Sequence, residues 1–254
     1  MHKKSSDQMF KLAVGCLAVG ALMSLPGSVR GAVSFSGYLD ILAESLDTDG
    51  ADTVETAGVE TYELVAATDL GDGLTATAHI TGNGENDISL EQAHLVYAIN
   101  EQCSLIAGKY LSALGWEAFH SKDLYQISTS ATLVYPGMMN GAGVRHTADT
   151  WSLYGAVLAG VFDSPDRDLD EIGYEAQLKL MPAEGLTVQL GYASEGYAAT
   201  DTAASYDQTL INIWASYKVG SLLLAAEYNE VSDWGAAGTD GDGFLIRANK
   251  PVNE

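Results

Sequence analysis

Between Ile172 and Tyr192 apolar and polar side chains alternate with a period of two. Ile172, Tyr174, Ala176, Leu178 and Leu180 fall on one face of an extended chain, and Gly173, Glu175, Gln177 and Lys179 on the other. After Pro182-Ala183-Glu184-Gly185 the alternation resumes. Leu186, Val188, Leu190 and Tyr192 now stand against Thr187, Gln189, Gly191 and Ala193. A period of two broken by a Pro/Gly turn predicts a β-hairpin. Each arm runs about ten residues, roughly 33 Å at ~3.3 Å per residue, whereas soluble strands average about five or six.

The same pattern predicts twelve strands: 33–44, 59–69, 74–82, 88–100, 103–112, 141–149, 151–162, 171–181, 186–195, 207–218, 222–233 and 242–249. Links after even-numbered strands are short: 70–73, 101–102, Thr150, 182–185 and 219–221. Links after odd-numbered strands are longer: 45–58, 83–87, 113–140, 163–170, 196–206 and 234–241. An up-and-down sheet whose rims meet different surroundings behaves this way, and short periplasmic turns with long outer loops mark outer-membrane barrels. The long links are expected on the exterior rim. An even strand count puts both termini on the periplasmic side.

Other segments share the facing. Ile211, Ile213, Ala215, Tyr217 and Val219 alternate with Asn212, Trp214, Ser216 and Lys218; Leu74, Ala76, Ala78 and Ile80 alternate with Thr75, Thr77, His79 and Thr81. In a barrel the apolar face would meet lipid and the polar face would line a lumen. Tyr38, Tyr62, Tyr97, Tyr192, Tyr217 and Tyr228 lie near segment ends, where interfacial aromatic girdles belong. The competing architecture is a soluble β-sandwich or solenoid with one buried face. Segment length and link pattern favour the all-β, up-and-down antiparallel transmembrane barrel. Closure follows from the solvent: an open strand edge in hydrocarbon leaves backbone groups unpaired at several kcal/mol each.

The N-terminus changes the picture of destination. His2, Lys3, Lys4 and Lys11 precede an apolar run from Leu12 to Leu25, and small residues follow in Pro26–Ala32. This is the pattern of a secretory signal peptide, residues 1–31, cleaved after Gly31 or Ala32. The apolar run is too short for the ~20 residues of a spanning helix. Residues 32–254 then form a single domain. Residues 1–31 hold four of the 12 Lys+Arg and one of the 34 Asp+Glu, so the remainder carries a net charge of −25. Such acidity argues against nucleic-acid binding. Only Cys103 follows the leader, so no disulfide can staple the domain. The expected location is the outer membrane of a Gram-negative bacterium.

Several stretches resemble a known family. "DLGDGLTATAHI" (Asp69 to Ile80) resembles the early turn and strand of Gram-negative porins. "GKYLSALGWEAF" (Gly108 to Phe119) is similar to the strand that enters their third loop, and "NGAGVRH" (Asn140 to His146) to the returning strand. With "PAEGLTVQLGY" these point to the OmpL-like β-barrel porins. The resemblance implies a passive diffusion channel for small hydrophilic solutes and ions, with outer-membrane lipid around it and homo-oligomerisation left open. It also implies that segment 113–140 folds into the lumen as a constriction, with Glu117, His120, Lys122, Asp123 and Tyr125 as its polar equipment. The alternative is an extra strand over 124–135. The chain ends "RANKPVNE" instead of on a terminal aromatic, which suggests a truncated larger barrel or a barrel with fewer strands than longer relatives.

The alternation assigns Lys109, Arg145, Glu175, Gln177, Lys179, Lys218, Glu227 and Arg247 to the lumen wall, along with Asp40 and Glu63. "DTDGAD" (Asp47 to Asp52) lacks EF-hand spacing, since Gly50 comes at position 4 where position 6 is required. No metal site, cofactor or catalytic motif is expected: no G-x-S-x-G, HExxH or paired-carboxylate signature occurs. The expected function is a channel. The alternative is a non-conducting structural or binding barrel, such as an adhesin, with a filled lumen.

Overall fold

The computed structural model describes residues 8–13, 21–23, 31–47, 54–84, 87–120, 123–124, 135–162, 172–199 and 204–251. From Val33 onward the described residues form twelve strands: β1 (Val33–Asp47), β2 (Val54–Gly71), β3 (Leu74–Asn83), β4 (Ile88–Ala98), β5 (Cys103–Leu111), β6 (Met138–Thr147), β7 (Trp151–Leu158), β8 (Gly173–Ala183), β9 (Leu186–Tyr197), β10 (Tyr206–Val219), β11 (Leu222–Ser232) and β12 (Gly241–Asn249). Each pairs antiparallel with the next, in chain order. No α-helix occurs among the described residues. Direct pairing of β5 with β6, from Cys103↔His146 to Leu111↔Met138, leaves no place for a strand between them. Most of 124–135 lies outside the described residues.

The strand count and up-and-down order match the alternation. The opening hairpin is longer than its pattern predicts, because β1 and β2 stay paired out to Leu46↔Val54. The added residues, Ser45 to Asp47 and Val54 to Gly58, mix polar, small and apolar types without strict alternation, so periodicity fades while the backbone ladder continues. The link rhythm is also less regular than expected: 84–87 and 99–102 are equal in length. The β2–β3 turn is built for tightness. Asp72 and Gly73 both have positive φ (52° and 79°), the geometry of a hairpin turn that twists with its strands. Asp69 Oδ1 accepts the Gly71 N–H at 2.8 Å.

Two N-terminal segments, Gln8–Ala13 and Ala21–Met23, lie antiparallel along β1. β12 pairs with β11 and not with β1, so the ladder is not closed. The sheet is nevertheless strongly curled. The Trp116 N–H reaches Glu227 on β11 (3.1 Å), and His120 Nδ1 lies 3.2 Å from Glu63 on β2. Four residues span at most ~14 Å. In a flat sheet β2 and β11 would stand about 43 Å apart, at ~4.8 Å per strand. The wall must therefore bend until these strands face each other.

Burial is inverted relative to a soluble protein. Tyr174 and Leu190 are 52% and 42% exposed, while Glu175 and Gln189, their neighbours in sequence, are 1% exposed each. Leu64, Leu95, Val144, Leu153, Ile213 and Val219 also face outwards. Water penalises such a surface and hydrocarbon accepts it. One tyrosine departs from the girdle expectation. Tyr38 is buried inside against His120, with rings 6.1 Å apart and edge to face. It shares the inner face with Asp40, so its position near a segment end misled. Tyr97, Tyr192, Tyr217 and Tyr228 lie on the outer face.

The interior is not uniformly polar. Tyr110, Leu114, Met139, Tyr154, Leu158, Val161, Leu210 and Val231 form an apolar cluster with Phe162 and Trp234 packed against it. These residues fill the inner side of β5–β11.

The facing yields a stability prediction. Leu190→Arg puts a charge on the outer face of β9 and should cost about 2–4 kcal/mol if this position lies near the bilayer midplane. Lys218→Gln, on the inner face at the short-turn rim, should stay within ~0.5 kcal/mol of the parent. Denaturant unfolding in lipid vesicles measures both. Equal effects would contradict the assigned faces.

Candidate functional site

The inner faces of β8 to β11 form rows set by register. Gln177, Gly191, Asn212 and Asn229 stand side by side across four strands. The next row is Lys179, Gln189, Trp214 and Glu227. Glu175 lies one row beyond Gln177, facing Ala193. Every second residue of each strand points inward, so this array is a direct product of the period-two pattern.

The segment that follows β5 lies across this array. Its described residues form no strand or α-helix to satisfy their own backbone, and a buried N–H must find an acceptor. The wall supplies them. The Ser112 Oγ–H donates to Glu175 Oε2 (2.5 Å) and the Ala113 N–H to Glu175 Oε1 (2.8 Å). Gln177 and Gln189 both donate their side-chain amides to the Ala113 carbonyl, Gln189 at 3.3 Å. The Gly115 N–H reaches Asn212 Oδ1 at 3.2 Å, and the Trp116 N–H reaches Glu227 Oε1 at 3.1 Å. Asn212 is fully buried and donates to both Glu227 (2.5 Å) and Asn229 (2.7 Å), which ties the wall acceptors together. Gly191 makes room: a Cβ there would overlap Leu114 Cδ2.

The far end of the segment is tied as well. The Tyr135 hydroxyl donates to Glu227 Oε2. Burial and the Glu227 carboxylate beside it hold this hydroxyl well above the ordinary tyrosine range, so it stays a donor. The Ser112 N–H donates to the Gly137 carbonyl (3.0 Å), closing the segment's neck.

The residues assigned to the wall from the sequence fall into three groups. Glu175, Gln177 and Glu227 are the anchors just described. Arg145 and Lys179 sit on inner-face aromatics, Arg145 Cζ 5.0 Å from the Tyr154 ring centre and Lys179 Nζ 5.9 Å from that of Trp214. Lys218 and Arg247 continue the inner faces of β10 and β11's neighbour β12, opposite Leu223 and Ala225. Lys109 is the exception. It lies opposite Ala93 and shares its strand face with Leu105 and Ala107, while Tyr110 next to it is buried inside. Its Nζ donates to the Leu90 carbonyl at 2.8 Å. The pattern "GKYL" was read one residue out of phase, because Gly108 gives no sign of which face it occupies.

In the inward segment, His120 meets Glu63 and Tyr38, and Glu117 is half-buried. Asp123 is exposed, with its N–H on the His120 carbonyl at 3.0 Å. Lys122 and Tyr125 lie outside the described residues, as do 48–53 with the EF-hand-like stretch. Sequence reasoning missed Ser112, Gln189 and Asn212 as anchors. The inward facing of Gln189 and Asn212 was readable from the alternation; that a chain segment beginning at Ser112 lay against them was not. Beneath the segment, Val96, Ser104, Ile106, Tyr110, Arg145 and Tyr154 line a cavity of about 170 Å³.

No curated protein matches the chain. Among solved structures, OmpTdeltaL8, a loop L8 deletion mutant of the Vibrio cholerae outer membrane protein OmpT, is similar at a TM-score of 0.47 and 14% identity, over 86% of this chain and 87% of that one. A family model described as "Putative beta-barrel porin-2, OmpL-like" matches residues 55–243. The match runs from the second residue of β2 into β12, and the chain belongs to this porin-like family of outer-membrane β-barrels.

Proposed function

We propose that the protein is an outer-membrane channel for passive diffusion of small hydrophilic solutes and ions, and that the segment after β5 sets its narrow zone. The observation that carries this reading is the inward segment itself. A run of irregular backbone is held inside a curled sheet by Glu175, Asn212 and Glu227, with an apolar surface outside. Non-helical backbone survives at membrane depth only when buried in protein or lining a water-filled cavity. The leader would be removed after Gly31 or Ala32, which also frees the edge of β1 that residues 8–13 and 21–23 line. The reading needs no catalytic group. One observation favours the alternative of a non-conducting barrel: the apolar cluster that fills the inner side of β5–β11.

Conductance of the refolded, leader-free protein in a planar bilayer separates the two. Discrete channel steps are expected, and a folded protein that never conducts would establish the non-conducting alternative. The net charge of −25 after the leader should make the pore modestly cation-selective at low salt. That preference should fade as the Debye length falls from ~10 Å at ~0.1 M to ~3 Å at ~1 M. Reversal potentials across a salt gradient report it. Anion preference at ~0.1 M would instead place control with the inner Arg145, Lys179 and Lys218.

The tether makes its own prediction. Glu227→Ala removes the acceptor shared by Trp116, Asn212 and Tyr135. Leaving buried donors unpaired should cost about 1–3 kcal/mol. Thermal unfolding measures that loss, and single-channel recordings should show larger or noisier steps as the segment loosens. Unchanged conductance in a correctly folded variant would remove the segment from the narrow zone.

A further inference from the structure

A second group of polar side chains converges where the inward segment meets the opposite wall. Glu63 of β2 is 6% exposed. His79 of β3 holds its Oε1 at 2.8 Å. Glu91 of β4 arrives through a fault in the ladder: His79 pairs with Gln92 and Ile80 with Leu90, so Glu91 is the extra residue of a β-bulge. Leu90 stays outside while Glu91 and Gln92 both turn in. Bulges re-aim side chains in this manner near functional sites. His120 comes from the inward segment. One ligand-type atom each from Glu63, Glu91 and His120 lie within 4.8 Å of one another.

The electrostatics of this group are unresolved by the protein alone. Glu63 Oε2 and Glu91 Oε2 are each buried without a hydrogen-bond partner among the described residues. His120 Nδ1 lies 3.2 Å from Glu63 Oε2, an ion pair when the imidazole is protonated and a ligand-to-ligand distance when it is neutral. Two ligands on a tetrahedral ion at ~2.0–2.1 Å stand about 3.3 Å apart, so the distance suits ligands sharing an ion. Converging carboxylates are eased by a proton on one of them or by a cation shared between them, and the imidazole beside this pair suits a shared cation. The Lys109 ammonium on β5 donates to the Leu90 carbonyl (2.8 Å), and its charge partly offsets the repulsion between Glu91 and Glu63.

We propose that Glu63, Glu91 and His120 bind one divalent transition-metal ion of the zinc type, which staples the inward segment to β2 and β4. An imidazole with carboxylates selects such an ion over calcium or magnesium, which take all-oxygen sites. His79 is a positioning residue. In the tautomer with a proton on Nδ1 it donates to Glu63 Oε1 and leaves Oε2 for the metal, the usual role of a ligand's outer partner. Tyr38, 3.5 Å from His120 Nδ1, yields that nitrogen when the ion binds. Three ligands leave a fourth position for water or a passing solute. Binding requires only the wall and the segment; an effect on conduction rests on the channel reading.

The test uses refolded, chelator-stripped protein in detergent. Co²⁺ is titrated by visible absorbance and Zn²⁺ by calorimetry, with folding verified by heat-modifiable electrophoretic migration. One equivalent should bind with a tetrahedral Co²⁺ spectrum, and excess Ca²⁺ should not displace it. Glu91→Gln and His120→Ala should each weaken binding at least ~10-fold. His146→Ala removes a separate imidazole–thiol pair, His146 Nδ1 with Cys103 Sγ at 3.2 Å, and should bind as the parent does. If His120→Ala fails to fold, His120→Gln takes its place. No binding by the folded parent, full binding by Glu91→Gln, displacement by Ca²⁺, or loss in His146→Ala would each overturn the proposal. In bilayers, Zn²⁺ should alter the conductance of the parent and not of Glu91→Gln. A protein that binds Zn²⁺ but never conducts would refute the channel and leave the metal site standing.

Discussion

Water cannot reach the backbone of a strand inside a bilayer, so each N–H and C=O there must be paired within the protein. Nearly everything else in this structure follows from that constraint. It forces a continuous antiparallel ladder from β1 to β12. The ladder curls, and closure of its β1 and β12 edges would complete the pairing that hydrocarbon demands. The period of two then assigns side chains without further choice. One face meets hydrocarbon and carries Leu, Ile, Val and Tyr; the other faces inward and is free to carry Glu, Gln and Asn.

The same accounting explains the inward segment. Once a stretch of irregular backbone enters the barrel it brings its own unpaired donors. The wall of β8 to β11 meets them with side-chain acceptors set at neighbouring register positions. A buried carboxylate is costly alone, and Glu175 and Glu227 become tolerable because each collects two or more donors. The opposite wall is different. Around Glu63 and Glu91 carboxylate oxygens converge and donors are too few. Both ends of the segment are thus held by the β8–β11 wall, while His120 between them meets Glu63 and Glu91, where the cation is proposed.

The sequence by itself determined the fold class, the strand count, their order and most of the facing. Local alternation encodes these, and each strand reads its own period without knowing its neighbours. It failed where a strand departs from strict period two or where glycine hides the phase. Glu91 points inward only because the β3–β4 ladder carries a bulge, and Lys109 points outward beside a glycine. Tyr38 looked like a girdle residue by position and is an interior one by phase. Tertiary structure alone decided which distant residues meet. Glu63, His79, Glu91 and His120 are spread over four elements with no motif spacing, and Ser112 to Trp116 carry no mark that β8 to β11 will receive them. Those encounters depend on the curl of the whole sheet, which sums small twists over twelve strands and brings β2 opposite β11. No local window of sequence contains that sum.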